Sequence, residues 1–223
     1  MRMNFLLVLL LAGISTANAV TNTPVRTLGL CKNYNDAAEI FDSVCPSGAL
    51  TNGVGAFLKT AIEKSRATAV QRGKTTSSIG SMGGRWLEWA TIIALKEKGL
   101  TPAYWQAEFV AVPKNFNDVL LWSKEYGPVI LSCKTSLRER YKQADLEAVA
   151  LRQHYPNAKF YIVTLDEDKR HLANIRKKIA DKELLALHAI YDETNMDDLF
   201  AFLKTLTLTI VPDKTLRSGK QVR

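Results

Sequence analysis

Asn117-Asp118-Val119-Leu120-Leu121-Trp122 and Val129-Ile130-Leu131-Ser132-Cys133-Lys134 are two apolar runs, separated by a six-residue turn segment that ends in Gly127-Pro128. Short runs rich in branched residues and bounded by turn formers predict strands, here Asp118 to Trp122 and Val129 to Lys134. Working outward, Tyr104 to Val112 predicts a strand before them. Phe160 to Leu165 predicts one after them, apolar throughout as in a buried parallel strand. Between the last two lies a charge-rich segment of good helix formers, running from Ser136 as a candidate cap to about His154.

Helical spacing marks the flanks. Asp36 to Val44 and Val54 to Val70 read as amphipathic helices. Gln71 to Ser81 reads as a polar connector rich in Gly, Ser and Thr. From Arg85 to Lys98, Trp86, Leu87, Trp89, Ala90, Ile93, Ala94 and Leu95 fall on helical spacing, and Gly99 stops the run. Beyond the strands, Asp168 to Ile179 and Asp197 to Leu206 predict helices, with a short strand near Leu187 to Tyr191. Thr209 to Arg223 is a basic tail with no element assigned. The order helix, three strands, helix, strand, helix predicts an α/β/α sandwich around a mixed sheet.

The chain has 223 residues, and Lys and Arg number 30 against 22 Asp and Glu, giving a net charge of +8 and a pI near 9.4. That excess favours polyanions, nucleic acid before anionic membrane. Arg2, the apolar run Phe5 to Ala12 and the small-residue site Ala17-Asn18-Ala19 form the pattern of a secretory signal peptide. The expected organisation is a signal peptide at 1–19, a helical segment at 20–80, an α/β core at 81–208 and the tail at 209–223. No later run reaches membrane-spanning length, so export without a membrane anchor is expected. With three cysteines, no CxxC and three scattered histidines, a zinc site is not expected. Cys31 and Cys45 are free to pair or not, and Cys133 is expected to be a buried thiol.

The chemistry concentrates around Lys134. Strand alternation puts Ser132 and Lys134 on one face and Cys133 on the other. If Asp118 lies on the neighbouring strand, its carboxylate can approach Lys134. On the next helix Arg140, Gln143 and Glu147 share a face, which lets Glu147 lean toward Asp118. Alone, Asp118 reads as a turn aspartate and Lys134 as a solvated strand-end lysine. Together, two carboxylates and an ammonium suit metal-assisted phosphodiester hydrolysis.

That combination resembles the PD-(D/E)XK nuclease superfamily, and more narrowly the type II restriction endonucleases that read CCGG. The resemblance covers about residues 83–165 and implies the αβββαβ core of a restriction-endonuclease-like fold. In that group a small residue replaces the second acid and a glutamate of the following helix takes over its role, as Ser132-Cys133-Lys134 followed by Glu147 does here. Asn117 stands where the family has proline. The resemblance implies Mg²⁺ held by Asp118, Glu147 and the Cys133 backbone carbonyl, with Lys134 near the scissile phosphate. Glu88 matches the family's helix glutamate, and Gln143 becomes a supporting hydrogen-bond donor. Arg138, Glu139 and Arg140 fall where that group reads G·C pairs, and arginine on guanine with glutamate on cytosine is sound groove chemistry. Double-stranded DNA is the implied partner, and one half of a palindromic site per chain implies a homodimer.

Lys142, Arg152, Lys159, Arg170, Arg176, Lys177 and Lys178 are candidate phosphate contacts. Trp86, Trp89, Trp105 and Trp122 fit a core role. Two competing readings remain: a DNA-binding protein whose nuclease site has decayed at Ser132, and an exported structural protein in which the motif is accidental.

Overall fold

Strand alternation sorts the core into two layers. In β2 (Phe116–Ser123), Val119 and Leu121 pack on one side and Leu120 on the other; in β3 (Gly127–Lys134), Val129, Leu131 and Cys133 share the first side and Ile130 takes the second. The computed structural model describes residues 23–45 and 49–223. With β1 (Ala103–Phe109), β4 (Lys159–Thr164), β5 (Ala189–Tyr191) and β6 (Leu216–Val222), these strands form one mixed sheet in the order β5-β4-β3-β2-β1-β6. β1, β2 and β3 run as an antiparallel meander, and β3, β4 and β5 are parallel.

Helices α1 (Pro24–Leu28), α2 (Asp36–Val44), α3 (Val54–Gln71), α4 (Thr76–Glu97) and α7 (Met196–Lys204) cover the first face, while α5 (Arg140–Arg152) and α6 (Lys169–Ala180) cover the second. The series α4-β1-β2-β3-α5-β4 is the expected αβββαβ core, and the α/β/α sandwich is what the spacing predicted. Trp86 and Trp89 are fully buried, as expected, with their indole N–H groups satisfied by the carbonyls of Ala37 and Leu30, both at 2.9 Å. Among the described residues, no helix is long and apolar enough to cross a membrane. The expected signal peptide lies outside the described residues.

Two local expectations need correction, and two elements fall where none was assigned. The 71–81 connector is largely helix, because the Thr75 hydroxyl accepts from Ser78 N at 3.2 Å and starts α4 at Thr76. Ile79 and Met82 pack against the core from that extra turn. This outweighs the cost of about 1 kcal/mol that each helical glycine carries. Ser136 caps nothing: Leu137 is buried, its N–H donates to Asp166 Oδ2 at 2.7 Å, and Arg138 takes φ +29°, so helix geometry begins only at Arg140. The tail contains β6, which pairs antiparallel with β1 from Ala103↔Val222 to Phe109↔Leu216. Its middle, Arg217-Ser218-Gly219-Lys220, is polar and exposed on a sheet edge, which erased the alternation a reader of the sequence looks for. α1 was not anticipated; it is held by buried Asp42, which accepts from Val25 N at 2.8 Å and Arg26 N at 3.1 Å.

Within the first helical layer, α3 packs tightly against the start of α7 and the residues before it. Gly53 precedes α3 and has no side chain to cap it, so Asp197 of α7 accepts from Val54 N at 3.0 Å instead. A methyl group at Gly55 would lie 1.9 Å from the Glu193 carbonyl oxygen, so only glycine lets the helix pass.

Candidate active site

Asp118 sits near the start of β2 and meets three donors from β3. Lys134 Nζ lies 2.9 Å from Asp118 Oδ2, Cys133 N donates to the same oxygen at 2.8 Å, and Ser132 Oγ reaches it at 3.4 Å. The pairing Val119↔Leu131 places these strands side by side, and alternation aims Ser132 and Lys134 at Asp118 while Cys133 turns its thiol inward. Every one of these bonds falls on Oδ2; among the described residues Oδ1 takes no donor. Little of the pair is exposed, with side-chain exposures of 14% for Lys134 and 12% for Asp118. Burial works to lower the Lys134 pKa, but the charge and hydrogen bond of Asp118 outweigh it, so the net shift is upward and the ammonium persists at neutral pH.

Glu88 arrives from the other layer, on α4. Its Oε2 accepts from Trp105 Nε1 and Gln106 Nε2, both at 2.8 Å. Gln106 lies between the pairs Trp105↔Val119 and Ala107↔Asn117, across from Asp118, and takes φ +51° where β1 loses register with β6. A bulge of this kind re-aims a side chain beside a site. Burial, and then the Asp118 charge, push the Glu88 carboxyl up to about 7, while Trp105, Gln106 and Lys134 pull it back. Two carboxylates thus feel each other across the site. Trp105 and Gln106 were missed as site residues, since nothing in their sequence context marks a bulge.

Glu147 occupies the far wall of a narrow cleft that also contains Asp118 and Ser132. The free space there is about 10 Å³, room for one water or a bare cation. The Glu147 charge contributes to the upward shift of Lys134. Its Oε1, however, accepts from Gln143 Nε2 at 2.7 Å on the exposed side of α5. Among the described residues, no three Cys, His, Asp or Glu side chains stand together as a ready metal cluster. The structure therefore joins Asp118, Lys134 and Ser132 by direct contact and Glu88 by charge, and leaves Glu147 facing them across the cleft. The contribution of Cys133 seen here is its N–H on Asp118. Its thiol is fully buried 3.7 Å from Thr91 Oγ1, and burial pushes its pKa well up. Cys31 and Cys45 are also free thiols.

α5 is fixed in height by Asp145, whose carboxylate accepts from Leu185 N at 2.9 Å, Ala186 N at 2.8 Å and Leu187 N at 3.0 Å. Arg138, Glu139 and Arg140 all lie exposed at the start of α5. His171 Nε2 lies 3.2 Å from the Arg138 carbonyl oxygen, and Glu139 pairs with Lys142 at 2.6 Å. Most of the candidate phosphate contacts have protein partners. Arg176 pairs with buried Asp192 at 3.3 Å, Lys178 with Glu183 at 2.6 Å, and Lys177 with Asp181. Arg152 donates to the Leu185 carbonyl, and Lys159 stacks 4.7 Å from the Tyr126 ring.

The donor set is oxygen only, which suits a hard divalent cation. Mg²⁺ keeps several waters and binds through one or two carboxylates, so a ready cluster of three is not required. No protein-family model matches the chain, and no curated protein matches its sequence. Two solved structures are similar in fold. One is the restriction endonuclease PspGI–substrate DNA complex, with a TM-score of 0.45 and 15% identity over 82% of this chain and 90% of that one. The other is the type IIP restriction endonuclease Kpn2I, with a TM-score of 0.46 and 12% identity over 75% and 70%.

Proposed function

We propose that this chain is a Mg²⁺-dependent, restriction-type endonuclease that hydrolyses phosphodiester bonds of double-stranded DNA at a short G·C-containing sequence, acting as a homodimer. The observation that carries the reading is the buried Lys134–Asp118 pair at 2.9 Å, with Asp118 Oδ1 left without a protein donor and Glu88 within reach of its charge.

Asp118 and Glu147 are the residues that would hold the cation, with the Cys133 carbonyl as a further oxygen and Glu88 acting through water. Bound there, the cation would polarise the phosphate and lower the pKa of the attacking water. The chain's own groups do the rest. Lys134 stays charged and offers its remaining donors to a phosphate oxygen or to the attacking water. Ser132, Cys133 N and Lys134 together fix the rotation of the Asp118 carboxylate. Gln143 holds Glu147 on its side of the cleft. Arg138, Glu139 and Arg140 present two forked donors and one acceptor to base edges, which supports G·C readout. The expected leader sequence motivates one more element: export, where such an enzyme would meet DNA outside the cytoplasm.

A second reading, a DNA-binding protein with a decayed site, draws on Ser132 standing where an acid is expected and on the separation of Glu147 from Asp118. Incubation of purified protein with plasmid and Mg²⁺, and in parallel with EDTA, discriminates the two. Discrete fragments that vanish with EDTA are the expected result; intact plasmid with a gel shift favours the binder. Lys134→Ala and Asp118→Ala are expected to abolish cutting while leaving DNA binding largely in place. Undiminished cutting by Lys134→Ala would overturn the proposed chemistry.

A further inference from the structure

A pocket of roughly 410 Å³ opens beside Glu88, lined by Cys31, Lys32, Asn33, Asn35, Arg85 and Glu88 together with Trp105 and Gln106. It continues into a second pocket of roughly 430 Å³ that shares Asn35 and Arg85. The walls are the loop between α1 and α2 and the exposed side of α4, where Arg85 and Glu88, three residues apart, are neighbours.

Two features set this groove apart. First, its loop is fixed from behind. Trp89 Nε1 donates to the Leu30 carbonyl and Trp86 Nε1 to the Ala37 carbonyl, both at 2.9 Å, while Tyr34 Oη donates to buried Asp42 at 3.0 Å. Second, its cations are uncommitted. Among the described residues neither Lys32 nor Arg85 has a carboxylate within ion-pairing distance, in contrast to Lys142, Arg176, Lys177 and Lys178. Asp36, the acid lining the outer part, is already paired with Lys74. Asn35 spends its carbonyl oxygen on Ala38 N at 3.2 Å, so the end of the amide left for a ligand is its NH₂ donor. The groove thus offers donors and positive charge along its length, with Glu88 Oε1 the carboxylate oxygen left without a donor at its inner end.

We infer that Lys32, Arg85 and the amides of Asn33 and Asn35 form a phosphate-holding subsite next to Glu88, which grips a backbone phosphate of the bound nucleic acid away from the base-reading turn; this rests on the nuclease reading above. The subsite reads no sequence. It anchors the strand on the α4 side of the site while Arg138 to Arg140 engage it from the α5 side.

The test is the salt dependence of binding by the full chain to a short mixed-sequence duplex in EDTA, from about 50 to 200 mM NaCl. Each phosphate contact contributes about 0.9 to the slope of log K against log salt. Lys32→Gln and Arg85→Gln are each expected to flatten the slope by about 0.9, and the double variant by about 1.8, equally on unrelated duplexes. Arg85→Lys keeps the charge and is expected to restore the slope. Lys98→Gln, about 20 Å along α4, is expected to leave it unchanged. Both Lys32 and Arg85 are exposed, so thermal melting should be unaltered. A wild-type slope in the double variant would overturn the subsite while leaving the nuclease reading intact. Absence of DNA binding by the wild-type chain would overturn both.

Discussion

The two walls of the candidate site differ in construction. On the sheet side, Asp118 has three donors on one oxygen and is almost shut off from solvent; on the α5 side, Glu147 is half-buried and its carboxylate has one partner, the exposed Gln143. The contrast separates two physical tasks. A buried charge pair keeps its geometry at a high cost if broken, whereas a solvated carboxylate can change rotamer at little cost. The wall that would hold Lys134 beside a phosphate is preorganised, and the wall that would complete a metal site is free to adjust.

The largest effect that tests this contrast is Asp118→Ala. It leaves the Lys134 ammonium buried without its partner and should cost about 3–5 kcal/mol in urea denaturation. Glu147→Ala should cost no more than about 0.5 kcal/mol in the same assay. Equal losses would erase the distinction. Next comes Glu88→Gln. The Glu88 carboxyl is about 7 in the folded chain against 4.5 as the ordinary value, so its contribution is fully present below 4.5 and is lost as pH rises through about 7. The variant should therefore gain on the wild type between pH 5 and pH 8, by at most about 3 kcal/mol. A stability gap that does not change with pH would contradict the burial of Glu88 beside the Asp118 charge. Smaller again, Arg140→Ala should weaken binding to the specific duplex by about 1–3 kcal/mol with melting unchanged. An equal loss on all sequences would make Arg140 a phosphate contact, sharpening the division of labour along α5.

Much of the strand layer was legible because its signals are local. The runs around Val119 to Leu121 and Val129 to Leu131 read as strands, alternation puts Ser132 and Lys134 on one face, and the register Val119↔Leu131 brings that face to Asp118. The helix predicted from Asp168 to Ile179 stands as Lys169–Ala180, capped by Asp168, whose Oδ1 accepts from His171 N at 3.0 Å. What escaped depends on distant partners. β6 is a strand only because β1 offers it an edge, and Ser136 lost its capping role because Asp166, 29 residues away, claims Leu137 N. Gln106 reaches Glu88 through a backbone conformation that no residue pattern announces. The approach of Glu147 to Asp118 was expected from helix spacing, but spacing gives a direction and leaves the distance to the depth at which the helix lies.

That depth returns to Asp145. Three consecutive amides converge on one carboxylate midway along α5, mooring the helix to the segment that leads into β5. Sliding that helix toward the sheet would break these three hydrogen bonds. Torsion about the Glu147 side chain, or a pivot in the short turn around Arg138, would narrow the cleft with those bonds intact, and the second lies within a few bonds of the residues expected to meet the bases.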